Sequence, residues 1–141
     1  MAKILSISRA ATLAMHAMVL VAAQPKGATI KTEEISKFLK VSKAHLSKVI
    51  QRLGSVGLID SIRGPSGGIY IKKPAGKITL LEVYEAVEGQ LSSIDCLLGT
   101  WICGGKFCIL GDVVKSINKL VKEYFSKTKI SELADIYRRN I

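Results

Sequence analysis

The stretch that most narrows what this chain can become is TEEISKFLKVSKAHLSKVIQRLGSVGLIDSIRGPSGGIYI, residues 32–71. Thr32 is placed to cap a short helix, with Glu33 and Glu34 in the first turn, where the helix dipole favours carboxylates. Ile35, Phe38 and Leu39 give that helix an apolar stripe. After a tight turn at Val41, Ser42 is placed to cap a second helix. Its Leu46, Val49, Ile50 and Leu53 recur at helical spacing. The opposite face carries Lys43, His45, Ser47, Lys48 and Gln51. Two short helices joined this closely, the second basic on its wet side, form the pattern of a helix-turn-helix. LIDSIR and IYIKK, both β-prone, then flank the turn-rich GPSGG. A hairpin directly after a helix-turn-helix is a wing.

Charge singles out the same half of the chain. Residues 1–77 carry thirteen Lys and Arg against three carboxylates, whereas residues 78–141 carry eight of each. The whole excess of +10 therefore lies beside the helix-turn-helix, as expected for a surface that meets a polyanion. In that setting Lys43 and Lys48 are expected on phosphates, and His45, Ser47 and Gln51 on base edges. Arg63, Lys72 and Lys73 belong to the hairpin, where an Arg at the tip can enter a minor groove. The glycines of the hairpin are not a phosphate loop, because no Lys-Ser or Lys-Thr follows at the required spacing.

The N-terminal run superficially resembles a signal peptide. His16 interrupts it, and residues 10–23 are too short to span a bilayer. The run reads instead as a helix from Ser8 to about Ala23, stopped by Pro25 and Gly27, apolar on most faces and hence central to the fold or lying between subunits. A lone His on such a helix is expected to be a satisfied core residue. Further on, Thr79 and Glu82 open a capped helix that ends at Gly89. Leu110, Val113, Val114, Ile117, Leu120, Val121, Tyr124 and Phe125 then make a long amphipathic stripe, and a short helix starts near Ser131. The length and apolar share suit a folded domain with a real core.

All three cysteines fall in CLLGTWICGGKFC, residues 96–108. An odd number cannot pair fully, and the absence of a secretory framework points to a reducing compartment, the cytoplasm. No C-x-x-C is present, which argues against a thioredoxin-like role. Thiolates are soft ligands, suited to zinc or an iron–sulfur cluster. Only the Cys103–Cys108 gap fits a zinc knuckle, and no fourth cysteine exists, which also disfavours an electron carrier. Gly99, Gly104 and Gly105 would let the segment wrap a bulky group. Candidates for a fourth ligand are Asp112, Asp95, His16 and Thr12. His16 and His45 are the only histidines, and neither has a catalytic setting, so an enzyme is not expected.

The first helix, the segment EEISKFLKVSKAHLSKVIQRLGSVGLIDSIRGPSGGIYI and the three-cysteine loop before a long helix together resemble the Rrf2 family of bacterial transcription regulators. The resemblance spans nearly the whole chain. It implies a dimeric winged helix whose cysteine loop and long helix form the dimerisation arm. It also implies that Cys96, Cys103 and Cys108 hold an iron–sulfur cluster, of 2Fe–2S or 4Fe–4S type, since members without a cluster lack such a triplet. Some members complete the ligand set with a His three residues after the third cysteine, or with an Asp of the partner's first helix. Those positions are Gly111 and Thr12 here. Ser47 stands where some members carry an acidic residue.

The expected fold is mostly α with a small β-hairpin wing: a winged helix-turn-helix with a long C-terminal dimerisation helix. The expected division is a DNA-binding domain at 1–89, a cysteine loop at 90–109 and a dimerisation arm at 110–141. The expected function is a cytoplasmic, homodimeric regulator, favoured as a repressor. It binds inverted-repeat double-stranded DNA with an affinity set by its cluster, and it has no membrane partner. A winged-helix protein with zinc, or with an unrelated small-molecule signal, is the alternative.

Overall fold

A computed structural model describes residues 7–93, 96–100, 102–104 and 106–140. Helix α1 (Arg9–Ala23) is the axis of the molecule. Ser8 caps it by accepting the Ala11 N–H at 3.0 Å. Nine of its fifteen residues are buried, from Ala11 to Ala22, because α1 is packed on several sides at once. Helices α3 (Lys43–Ser55), α4 (Leu80–Glu88) and α6 (Ile130–Asn140) all lie against it. Met18, Ile35, Leu46, Leu53, Leu58, Ile78, Val83 and Ile130 are the large side chains wholly removed from water.

Helix α2 (Thr32–Leu39) starts one residue earlier than its cap would suggest. Lys31 is the N-cap residue, and its N–H is taken by the Glu34 carboxylate at 3.0 Å. Ile35 is buried, while Phe38 is half exposed and reaches the ring of Tyr137 on α6. The turn into α3 is made by Lys40, the sole non-glycine residue of positive φ among the described residues (φ 54°, ψ 46°). Val41 N–H returns to the Ser36 carbonyl at 3.0 Å, and Ser42 then caps α3 through the His45 N–H.

Strands β1 (Ile59–Ile62) and β2 (Gly68–Ile71) form an antiparallel hairpin in which Ile59 faces Ile71 and Ile62 faces Gly68. Ile30, in the linker before α2, adds a bridge to Ile69 through paired hydrogen bonds of 3.0 and 2.8 Å. Gly67 and Gly68 are required by this crowding: a Cβ on Gly67 would meet the Ile62 carbonyl oxygen at 2.0 Å, and one on Gly68 would meet that of Ile30 at 2.9 Å.

Thr79 caps α4 as expected, but the Glu82 carboxylate turns outward to Lys73 instead of closing a capping box. Helix α5 (Val113–Lys127) begins three residues later than its apolar stripe, because Gly111 (φ 57°) closes a turn on Cys108. Helix α6 returns to α1, placing Ile130 and Ala134 in the core. Arg138 caps the far end of α1, donating from Nε to the Ala23 carbonyl at 3.0 Å and from Nη2 to that of Ala22 at 2.7 Å. Among the described residues no helix is long and apolar enough to cross a membrane.

Lys40 carries a Cβ into a left-handed conformation that costs an L-residue about 1–2 kcal/mol. Lys40→Gly should therefore raise the unfolding free energy by about 0.5–1 kcal/mol, and Lys40→Val should lower it, as read by urea denaturation.

Candidate functional site

Helix α3 is held by Leu46, Val49 and Leu53, which are buried, and by Ile50, which is half-buried. That anchoring turns Lys43, His45, Lys48 and Gln51 outward, and all four are exposed. Ser47 departs from the expected arrangement. It is half-buried, and its hydroxyl donates to the Lys43 carbonyl at 2.7 Å, so it starts committed to its own helix.

Lys37, Lys40 and Lys43 are exposed around the α2–α3 turn, and Glu33 pairs with the first of them. Its carboxyl is held below the usual carboxylate range, first by the hydrogen bond from Lys37 at 3.1 Å, then by the charges of Lys37, Lys43 and Lys31. On the wing, Arg63 sits exposed in the turn immediately after β1, and Lys72 is exposed after β2. Lys73 differs: its ammonium lies 2.5 Å from Glu82 Oε1, which ties it to α4 and the body of the domain. One basic residue escaped the sequence reading. Arg52, in the last turn of α3, donates from Nη1 to the Val87 carbonyl of α4 at 2.8 Å. Nothing in its spacing announces a partner so far along the chain.

The cysteine segment joins α4 to α5. None of Cys96, Cys103 and Cys108 is in a disulfide; the first is half-buried and the other two are exposed. Each opens a tight turn. The Cys96 carbonyl accepts the Gly99 N–H at 3.2 Å, that of Cys103 the Lys106 N–H at 3.3 Å, and that of Cys108 the Gly111 N–H at 3.0 Å. Gly99 and Gly111 close two of these turns with positive φ. The donor set therefore suits a thiophilic group: three free thiols on successive turns. Among the described residues, however, no three His, Cys, Asp or Glu side chains converge as a metal site.

The proposed fourth ligands are dispersed. Asp95 lies outside the described residues. Asp112 is exposed at the N-cap position of α5, yet its side chain makes no capping bond. Thr12 is half-buried, and its hydroxyl donates to the Ser8 carbonyl at 3.0 Å. His16 is not the core residue its helix suggested: it is exposed. Its Nδ1 lies 2.8 Å from the Thr12 carbonyl. That carbonyl can only accept, so the contact requires a proton on Nδ1.

A helix-turn-helix with a wing, its recognition helix basic and exposed, defines a winged-helix transcription regulator. Residues 7–136 match the family model described as "Rrf2: Iron-dependent Transcriptional regulator". The chain is similar to YwgB of Bacillus subtilis, named as a helix-turn-helix transcriptional regulator. The two are 32% identical over 130 residues, covering 88% of this chain and 83% of that protein. It is also similar to NMA1593 of Neisseria meningitidis, named in the same way, at 25% identity over 86% of this chain and 82% of that one. Among solved structures, CymR, the global cysteine regulator of B. subtilis, superposes with a TM-score of 0.78 at 22% identity, covering 94% of this chain and 98% of that one. IscR of T. potens superposes at 0.71 and 20% identity, covering 94% and 88%. The chain belongs to the Rrf2 family, a family of transcription regulators and not of enzymes.

The ion pair of Lys73 sets it apart from the exposed lysines of α3. Lys43→Ala and Lys48→Ala should each weaken binding to every duplex and flatten the log K against log salt slope by about one unit. Lys73→Ala should change the slope by less. Fluorescence anisotropy across a salt series measures all three.

Proposed function

We propose that this protein is a homodimeric, cytoplasmic transcription repressor that reads inverted-repeat DNA and adjusts its affinity through an iron–sulfur cluster on Cys96, Cys103 and Cys108. The observation that carries the cluster reading is the display of three unpaired thiols on successive turns of one exposed segment. Three thiolates repel one another until a cation lies between them, so gathering the ligands and binding the group are one event. When bound, an iron–sulfur core on three thiolates leaves a position for a weaker ligand, which makes it responsive to small molecules such as oxygen or nitric oxide. Asp112, Asp95, His16 and Thr12, the last two from the first helix of either subunit, remain this chain's candidates for that position, with an external molecule as the other. The reducing cytoplasm keeps the thiols available.

DNA contact is assigned to α3 for the major groove, with Arg63 and Lys72 of the wing alongside. The dimer reading rests on α5. Of its apolar stripe only Phe125 is buried, packed against Tyr84 of α4 with ring centroids 5.7 Å apart. Val113, Leu120 and Tyr124 are each more than half exposed. A groove of about 690 Å³ between α4 and α5, walled by Leu91, Leu110, Val113 and Ile117, continues that surface. A second copy would cover it and set two recognition helices about one DNA turn apart.

Two experiments test this reading. Protein purified anaerobically should contain iron and acid-labile sulfide and absorb in the visible range. Holo and apo protein should differ in affinity for one selected duplex, with Cys103→Ser behaving as apo. Equal affinities in all three would remove the cluster from regulation, and bound zinc without sulfide would replace it with a structural metal. Separately, Leu120→Asp should put a charge into the dimer seam at a cost of several kcal/mol. Sedimentation should then show a monomer or aggregate, with specific DNA binding lost. A monomeric wild-type protein would end the dimer reading.

A further inference from the structure

The last turn of α4 is a junction where three parts of the molecule meet. Its terminal carbonyls have no partners within the helix. One of them, Val87 O, accepts the Arg52 guanidinium from α3 at 2.8 Å. A cation at a helix C-terminus is favoured by the dipole as well as by the hydrogen bond. One residue on, the Glu88 carboxylate accepts the hydroxyl of Ser8, the residue that caps α1. The chain leaving α4 is fastened too. Gly89, at φ 84°, returns its N–H to the Glu85 carbonyl at 3.0 Å, and the Leu91 N–H is taken by the Glu85 carboxylate at 3.1 Å. Leu91 is five residues before Cys96. The start of the cysteine segment, the cap of α1 and the end of the recognition helix thus converge on one helical turn.

The geometry points to Arg52 as the positioning residue that couples the cysteine segment to the recognition helix. This rests on the DNA-binding reading given above for α3 and deepens it. Leu53 of α3 and Val83 and Val87 of α4 are buried in the shared core, and such non-directional burial holds the two helices together but lets one slide or roll on the other. A directed hydrogen bond from a guanidinium to a single carbonyl fixes the register of α3's last turn against α4's. A change in the cysteine segment that shifts residues 88–91 moves the Val87 carbonyl, and Arg52 carries that shift into α3 one residue beyond Gln51 and four beyond Lys48. Coupling between sites is reciprocal. DNA seated on α3 must therefore be felt at residues 88–91, whether or not a cluster is present.

The test uses full-length apo protein, a duplex selected in vitro by the wild-type protein, and amide hydrogen exchange. In wild type, the duplex should slow exchange at residues 88–91 by about fivefold or more, the low end of ordinary coupling between sites. In Arg52→Met, which keeps the aliphatic stem but has no donor, slowing should persist in α3 and vanish at 88–91. Arg52→Lys, which keeps one donor, should recover part of it. The proposal is overturned by a wild-type protein with no response at 88–91, an arm that needs no variant to fold. It is also overturned if Arg52→Met keeps the response and merely loses affinity with a flatter salt slope, the mark of a plain phosphate contact. Affinities of anaerobically reconstituted holo protein separate the two ideas. If the cluster shifts wild-type and Arg52→Met affinity equally, the Arg52 link fails and cluster control stands. If the cluster shifts neither while the apo exchange response depends on Arg52, cluster control fails and the link stands.

Discussion

Burial of α1 is the constraint on which the rest of this structure depends. A helix apolar on nearly every side cannot rest at a surface. It has to be wrapped, and here α3, α4 and α6 each cover part of it. That requirement explains why the DNA-binding unit is not confined to the contiguous segment that carries its motif. Residues after 129 supply Ile130 and Ala134 to the same core, and Arg138 closes the end of α1. The wing is fastened in a similar way, since Ile30, ahead of the helix-turn-helix, pairs with Ile69.

What could be read in the sequence was local. The two helices of the motif are marked by caps, by an apolar repeat and by a short joint, and all of these act within a few residues. The hairpin is marked by glycines whose necessity is steric: the Ile62 and Ile30 carbonyls stand where side chains would be. The outward face of α3 followed for the same reason, apart from Ser47, whose hydroxyl prefers the carbonyl one turn back. The unread features are contacts between separate elements, from nine to more than a hundred residues apart. Arg52 on Val87, Lys73 on Glu82 and Arg138 on Ala22 all involve a basic side chain that composition alone assigns to solvent or to DNA. His16 was misjudged because the apolar run around it hides one open edge, formed with Arg9.

The cysteine segment obeys different rules. Its order comes from short turns, not from a packed core, and many of its apolar side chains, Leu97, Leu98, Ile102, Phe107 and Ile109 among them, face outward. Such a surface is costly in water unless something covers it. The same is true of the adjoining stripe on α5.

The clamp of Arg138 on α1 has a bearing on synthesis. Helix α1 leaves the ribosome well before its cover is complete, because the guanidinium that satisfies its final carbonyls lies more than a hundred residues downstream. Until that residue emerges, the nascent chain holds its most apolar helix without its full complement of neighbours. Completion of the core that backs the helix-turn-helix therefore waits until α6 has been made, and until then α1 keeps part of its apolar surface in water.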